Sequence, residues 1–147
     1  MNKLKLVKKH LDKEKQSLLK ALGNAKETRD SAPSAMESHH DTTRNQAEKF
    51  VAALEKKLNN LEKIVSGLPN PQDIVSSDSV ALLSYVELNL NGSKMKLIIV
   101  PEGLGGKKED DINFISENTP LGGAILNKTI GSPFTFNGQG GEILNLD

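Results

Sequence analysis

Gly67-Leu68-Pro69-Asn70-Pro71 divides the chain. Before this stretch apolar residues recur every three and four positions; after it they recur every second position. A glycine and two prolines within five residues end a helix and leave a linker, because proline lacks the N–H and clashes one turn back. Upstream, Thr43, Ala47, Phe50, Leu54, Leu58, Leu61 and Val65 fall on one helical stripe. Further upstream, Leu4, Val7, Leu11, Leu18, Ala21 and Ala25 form a second, interrupted by Glu14. Gly23 weakens that helix by about 1 kcal/mol relative to alanine. Between the stripes lies Asp30-Ser31-Ala32-Pro33-Ser34. Pro33 cannot continue the first helix, and Ser34 with Glu37 three residues later reads as a capping box that starts the second. The spacing therefore predicts helices over residues 3–29 and 35–66. Neither can bury its stripe alone, so they pair as an antiparallel coiled-coil hairpin, an arm about 40 Å long. Its tip, residues 27–41, is polar.

Downstream the period is two. Val80, Leu82, Val86, Leu88 and Leu90 alternate along a strand, Asn91-Gly92 supplies a two-residue hairpin turn, and Met95, Leu97 and Ile99 mark the return strand, closed by Pro101. Residues 102–111 are Gly-rich and charged, a loop. Residues 112–115 read as a strand, and Thr119-Pro120 as an N-cap with proline at the first helical position. Leu121, Ala124 and Ile125 give that short helix its buried face. Phe134 and Phe136, the Asn137-Gly138 turn, then Ile143 and Leu146 make a last hairpin. The expected fold is α+β in two parts: a hairpin over residues 1–68, and a small antiparallel sheet with one short helix over residues 69–147.

Composition narrows the function classes. Hydrophobic residues make up 36% and aromatics 3%, so the core is aliphatic and an aromatic-lined pocket is not expected. There is no cysteine, which excludes disulfides, thiolate zinc sites and a cysteine nucleophile. The lysines at positions 3, 5, 8 and 9 are followed by no continuous apolar run, so neither a signal peptide nor a membrane span is expected, and the chain reads as cytoplasmic. The zero net charge hides an asymmetry: residues 1–68 hold 14 Lys/Arg against 9 Asp/Glu, residues 69–147 hold 5 against 10. Opposite signs on the two halves point to mutual attraction or to a basic partner site on the first half, and the plain alternative is a solvated lysine-rich helix. His39-His40-Asp41 is not a metal cluster by spacing, since adjacent helical residues point about 100° apart.

The run Ile115-Ser116-Glu117-Asn118-Thr119-Pro120-Leu121-Gly122-Gly123-Ala124-Ile125-Leu126-Asn127-Lys128 resembles the signature of the C-terminal domain of the Gre transcript cleavage factors. In that family the pattern continues with Val-Gly-Asp and a hairpin with paired glycines. Here Ile130-Gly131-Ser132 and Gly140-Gly141 occupy those places. Ser132 for Asp and Asn127 for Gly are the departures. The order of parts, coiled-coil hairpin, linker and FKBP-like β domain, is similar over nearly the whole chain.

The resemblance implies a function. Such factors are monomers that dock their β domain on RNA polymerase and pass the coiled coil through its secondary channel. There, acidic tip residues help hold a second Mg²⁺ near the nascent RNA 3′ end, and the polymerase hydrolyses backtracked RNA by two-metal chemistry. The chain would then have no cofactor of its own, and would not be an enzyme by itself. By position, Asp30 stands where the first tip acid belongs and is the expected Mg²⁺ contact. Three residues on is Pro33, which binds no metal. If Arg44 anchors the second helix, the tip is longer and Glu37 falls near the second acid; Glu37 also completes the Ser34 capping box. Arg29 and Arg44 flank the tip and face RNA phosphate in this reading, or pair with nearby acids. Ser116, Asn118 and Pro120 match the polymerase-docking loop. Two alternatives stay open: a secondary-channel regulator without cleavage activity, and a prolyl isomerase built on the FKBP-like fold. The latter needs an aromatic pocket, for which the second half offers Tyr85, Phe114, Phe134 and Phe136.

Overall fold

A computed structural model describes residues 3–31, 41–70 and 78–147. The chain forms two compact units, Lys8–Leu68 and a second made of Met1–Val7 with Pro69–Asp147. The first contains helices α1, Lys3–Ser31, except for its opening turn, and α2, Asp41–Gly67. Leu22, Ala25, Val51 and Leu54 form their buried seam, with Leu18, Ala21 and Leu58 packed on it. These lie in the second half of α1 and the middle of α2. Nine residues join the helices and span at most about 30 Å, too short to return along either helix, so the pairing is antiparallel.

The seam departs from the expected stripe at Phe50 and Val65. Along α2 it runs through Ala47, Val51, Leu54, Leu58 and Leu61, spaced four, three, four and three, while Phe50 is 55% exposed and Val65 44% exposed. Phe50 is larger and more apolar than Val51, so a reading by hydrophobicity selects it; only Val51 keeps the heptad spacing with Leu54 and Leu58. In α1, Glu14 interrupts the stripe as expected, and its carboxylate lies 3.2 Å from the buried His10 Nε2. The expected start of the second helix, the Ser34–Glu37 box and the His39-His40 pair lie outside the described residues.

The other unit is a six-stranded sheet in the order β3-β4-β2-β1-β6-β5. Its strands are β1 Tyr85–Leu90, β2 Ser93–Val100, β3 Lys107–Glu109, β4 Ile112–Ser116, β5 Pro133–Phe136 and β6 Gln139–Leu146. The short helix α3, Pro120–Ile125, packs on a core of Val80, Val86, Leu88, Leu97, Ile99, Leu121, Ile125, Phe134 and Ile143. Asn91-Gly92 and Asn137-Gly138 turn the two expected hairpins with φ of 51° and 85°, and 52° and 77°, the positive φ that two-residue turns need.

Three features differ from the expectation. The sheet is mixed, because β2 and β4 pair in parallel, Leu97 opposite Asn113 through Val100 opposite Ser116. Leu97, Ile98, Ile99 and Val100 are all fully buried, and burial on both faces is characteristic of strands in parallel pairs. The loop expected over 102–111 contains β3, which pairs antiparallel with β4 through a turn at Asp110-Asp111. Finally, β1 begins at Tyr85 and not at Val80. Val80 bonds the 127–128 segment, its N–H to the Lys128 carbonyl at 2.8 Å, and residues 81–84 fold into a turn with Leu83 at φ 66°. The Ser84 hydroxyl accepts from the Ala81 N–H at 3.0 Å and holds that turn.

Candidate functional site

The corner between β4 and α3 is held by one buried residue. Ser116, 6% exposed, ends β4. Its carbonyl accepts from the Thr119 hydroxyl at 2.7 Å and from the Thr119 N–H at 3.1 Å. Its own hydroxyl accepts from the Asn118 N–H at 3.3 Å. Thr119 in turn caps α3, its Oγ1 accepting from the Gly122 N–H at 3.1 Å, with Pro120 at the first helical position. Such a cap contributes about 1 kcal/mol. Gly122 lies against the Ser116 carbonyl so closely that a Cβ there would stand 2.2 Å from the oxygen. The opposite side of Ser116 is covered by Gly105, whose added Cβ would stand 3.0 Å from Ser116 Cβ.

The corner is therefore rigid, and Glu117, Asn118 and Pro120 are exposed on it. Of the three docking residues expected from the sequence, Asn118 and Pro120 present their side chains to solvent. Ser116 is turned inward, where its hydroxyl and carbonyl close the turn. The signal for this was available: a short hydroxyl residue two before Asn and three before a capping Thr is an ordinary way to close a turn.

Near the tip, Asp30 lies in the last turn of α1, its side chain 69% exposed, and accepts from Arg29 Nε at 3.1 Å. Arg44 Nε is 3.6 Å from Glu48 Oε1, one turn along α2. Among the described residues Arg29 thus pairs with Asp30 and Arg44 with Glu48. Glu37 lies outside the described residues. No three His, Cys, Asp or Glu side chains among the described residues are grouped to hold a metal ion. The aromatics of the β unit are used in packing: Phe114 is fully buried, Tyr85 and Phe134 nearly so, and Phe136 packs on the same core as Phe134. No helix among the described residues is long and apolar enough to cross a membrane.

Fold and corner together define an α+β chain made of a helical arm and a mixed-sheet unit bearing a rigid, exposed turn. Solved structures to which it is similar include the GreA factor homolog 1 (Gfh1) protein of Thermus thermophilus, at 19% identity over 95% of this chain and 93% of that one, with a TM-score of 0.42. A structure of the transcription factor Gfh1 is 20% identical over 99% and 92%, TM-score 0.43, and Thermus aquaticus Gfh1 is 20% identical over 97% and 94%, TM-score 0.42. No family model and no curated protein matches the chain.

Proposed function

We propose that the chain is a transcription factor of the Gre type that binds RNA polymerase through its β unit and places the helical arm in the secondary channel, where it acts on backtracked or paused complexes. The observation that carries this reading is the corner at residues 116–120. The stretch that resembles the Gre docking loop is built as a rigid edge with Asn118 and Pro120 outward, in a chain that also carries an arm. A preorganised edge loses little entropy on binding.

Cleavage stimulation is the finer part of the proposal. A second Mg²⁺ in the polymerase site would activate the attacking water and stabilise the leaving oxygen. Toward that ion this chain contributes carboxylate from its tip, Asp30 first and Glu37 second. Asp30 must exchange its bond to Arg29 for the cation, which leaves Arg29 free to face RNA phosphate.

The test is a backtracked elongation complex with and without the protein, scored for binding and for release of the 3′-terminal RNA fragment. Binding with cleavage supports the full reading. Binding without cleavage assigns the chain to channel regulators that do not cleave. An absence of binding removes the reading. Asn118→Ala with Pro120→Ala should weaken binding about tenfold or more, as loss of two central contacts does, with the melting of the β unit little changed.

A further inference from the structure

The outer surface of α2 separates its charges into columns. With Val51, Leu54, Leu58 and Leu61 on the seam, Glu48, Glu55 and Glu62 recur at one heptad position beside it, and Lys49, Lys56 and Lys63 recur at the next. Two of the glutamates have cations at hand: Arg44 lies 3.6 Å from Glu48, and Lys26 of α1 reaches Glu55 at 3.9 Å. The lysines do not have acids. The residues three and four positions from each, the helical neighbours able to pair with it, are Asn45, Gln46, Ala52, Ala53, Asn59, Asn60, Ser66 and Gly67. Among the described residues Lys49, Lys56 and Lys63 form no ion pair, and all three are exposed. A face that served only solubility would intersperse acids among its lysines.

We infer that this lysine column is a side rail of the arm, which docks against a carboxylate-bearing protein wall. Successive lysines stand about 10 Å apart along the axis and span about 20 Å. The column runs from Lys49 toward the end of α2, away from the tip at which a reacting RNA end is expected. Short amides and alanines separate the ammonium groups and leave a low relief that a wall can approach closely. The column itself contains no aromatic residue of the kind that alternates with cations where single strands are bound; Phe50 flanks it at one end only. The inference rests on the proposed function, since it names the chemistry of the channel wall.

The experiment compares the wild-type chain with a Lys49→Gln, Lys56→Gln, Lys63→Gln variant in binding to RNA polymerase core free of nucleic acid, over a range of KCl concentrations. Glutamine keeps helix propensity close to that of lysine, and circular dichroism checks the fold. A Lys94→Gln, Lys96→Gln, Lys128→Gln variant of the β unit controls for net charge. The rail predicts about tenfold weaker binding by the triple variant, three exposed pairs together, a flatter salt dependence, and little change in the control. Equal affinity and equal salt dependence of wild type and triple variant overturn the rail while leaving polymerase binding intact. A loss seen only when the complex contains transcript RNA overturns it in favour of RNA as the occupant. If the wild type does not bind polymerase, the proposed function falls and the rail with it.

Discussion

Tyr85 is the sole tyrosine in a chain without tryptophan, so absorbance near 295 nm follows its phenol alone. Burial first, and then the hydrogen bond to Glu87 Oε1 at 2.7 Å and the charge of that carboxylate, push its pKa up from 10.0 to about 12. A midpoint near 12 is expected in the native protein. Glu87→Gln should lower it without restoring 10, because burial remains. A pKa raised on folding stabilises the native state below pH 10 and loses that contribution as pH rises from 10 toward 12. Stability measured across that interval should fall. Two adjacent glycines offer a second test. Gly122→Ala drives a methyl into the Ser116 carbonyl, whereas at Gly123 an added Cβ meets nothing within 4 Å. Urea unfolding should show a loss of about 3 kcal/mol for the first and a neutral or slightly stabilising change for the second. Asn127 has φ 65°, a conformation asparagine tolerates better than most non-glycine residues.

At the level of elements, the heptad and the rigid corner make separate demands. Val51→Ala removes two buried methyl groups and should cost about 1.6 kcal/mol, read from the helical signal at 222 nm in urea. Phe50→Ala, on the exposed side, should stay within about 0.5 kcal/mol of wild type. An opposite ranking would return Phe50 to the seam. Much of this was legible in the residues: the hairpin, both Asn-Gly turns, the Thr119-Pro120 helix start and the aliphatic core. The rest depended on partners that periodicity does not name. Lys107, Lys108 and Glu109 carry no apolar alternation, so β3 exists through backbone pairing with β4 and left no side-chain signal. Direction of pairing is invisible to a period of two, though the unbroken apolar run Leu97-Ile98-Ile99-Val100 was a hint that β2 is covered on both faces. The apolar alternation from Val80 onward failed because Leu83 turns at positive φ. At the candidate site, the Ser two before Asn118 and three before the capping Thr119 marked a hydroxyl-closed turn, but how tightly Ser116 is enclosed depended on Gly105 and Gly122 closing on it.

For the whole molecule, the separation of docking from tip chemistry is the main expectation. Asp30→Asn keeps size and removes charge, so cleavage by the polymerase should fall about tenfold or more while binding through the corner at Asn118 and Pro120 is retained. Glu37→Gln suits a capping box read from the sequence as well as glutamate does, so a cleavage loss there points to metal work. Equal cleavage by Asp30→Asn and wild type would remove Asp30 from the tip assignment. The strand order carries a further consequence, for the time course of folding. The inner strand β1 lies between β2 and β6, pairing Val86 with Leu146, and Lys3 at the start of α1 donates to the carbonyl of Asp147 at 2.7 Å. Hairpin contacts close over short stretches of chain, whereas these close over sixty residues and more, and distant closures are the slow ones. During synthesis the arm can therefore pair while the ribosome is still adding strands, but the opening turn of α1 must wait for the last strand to arrive.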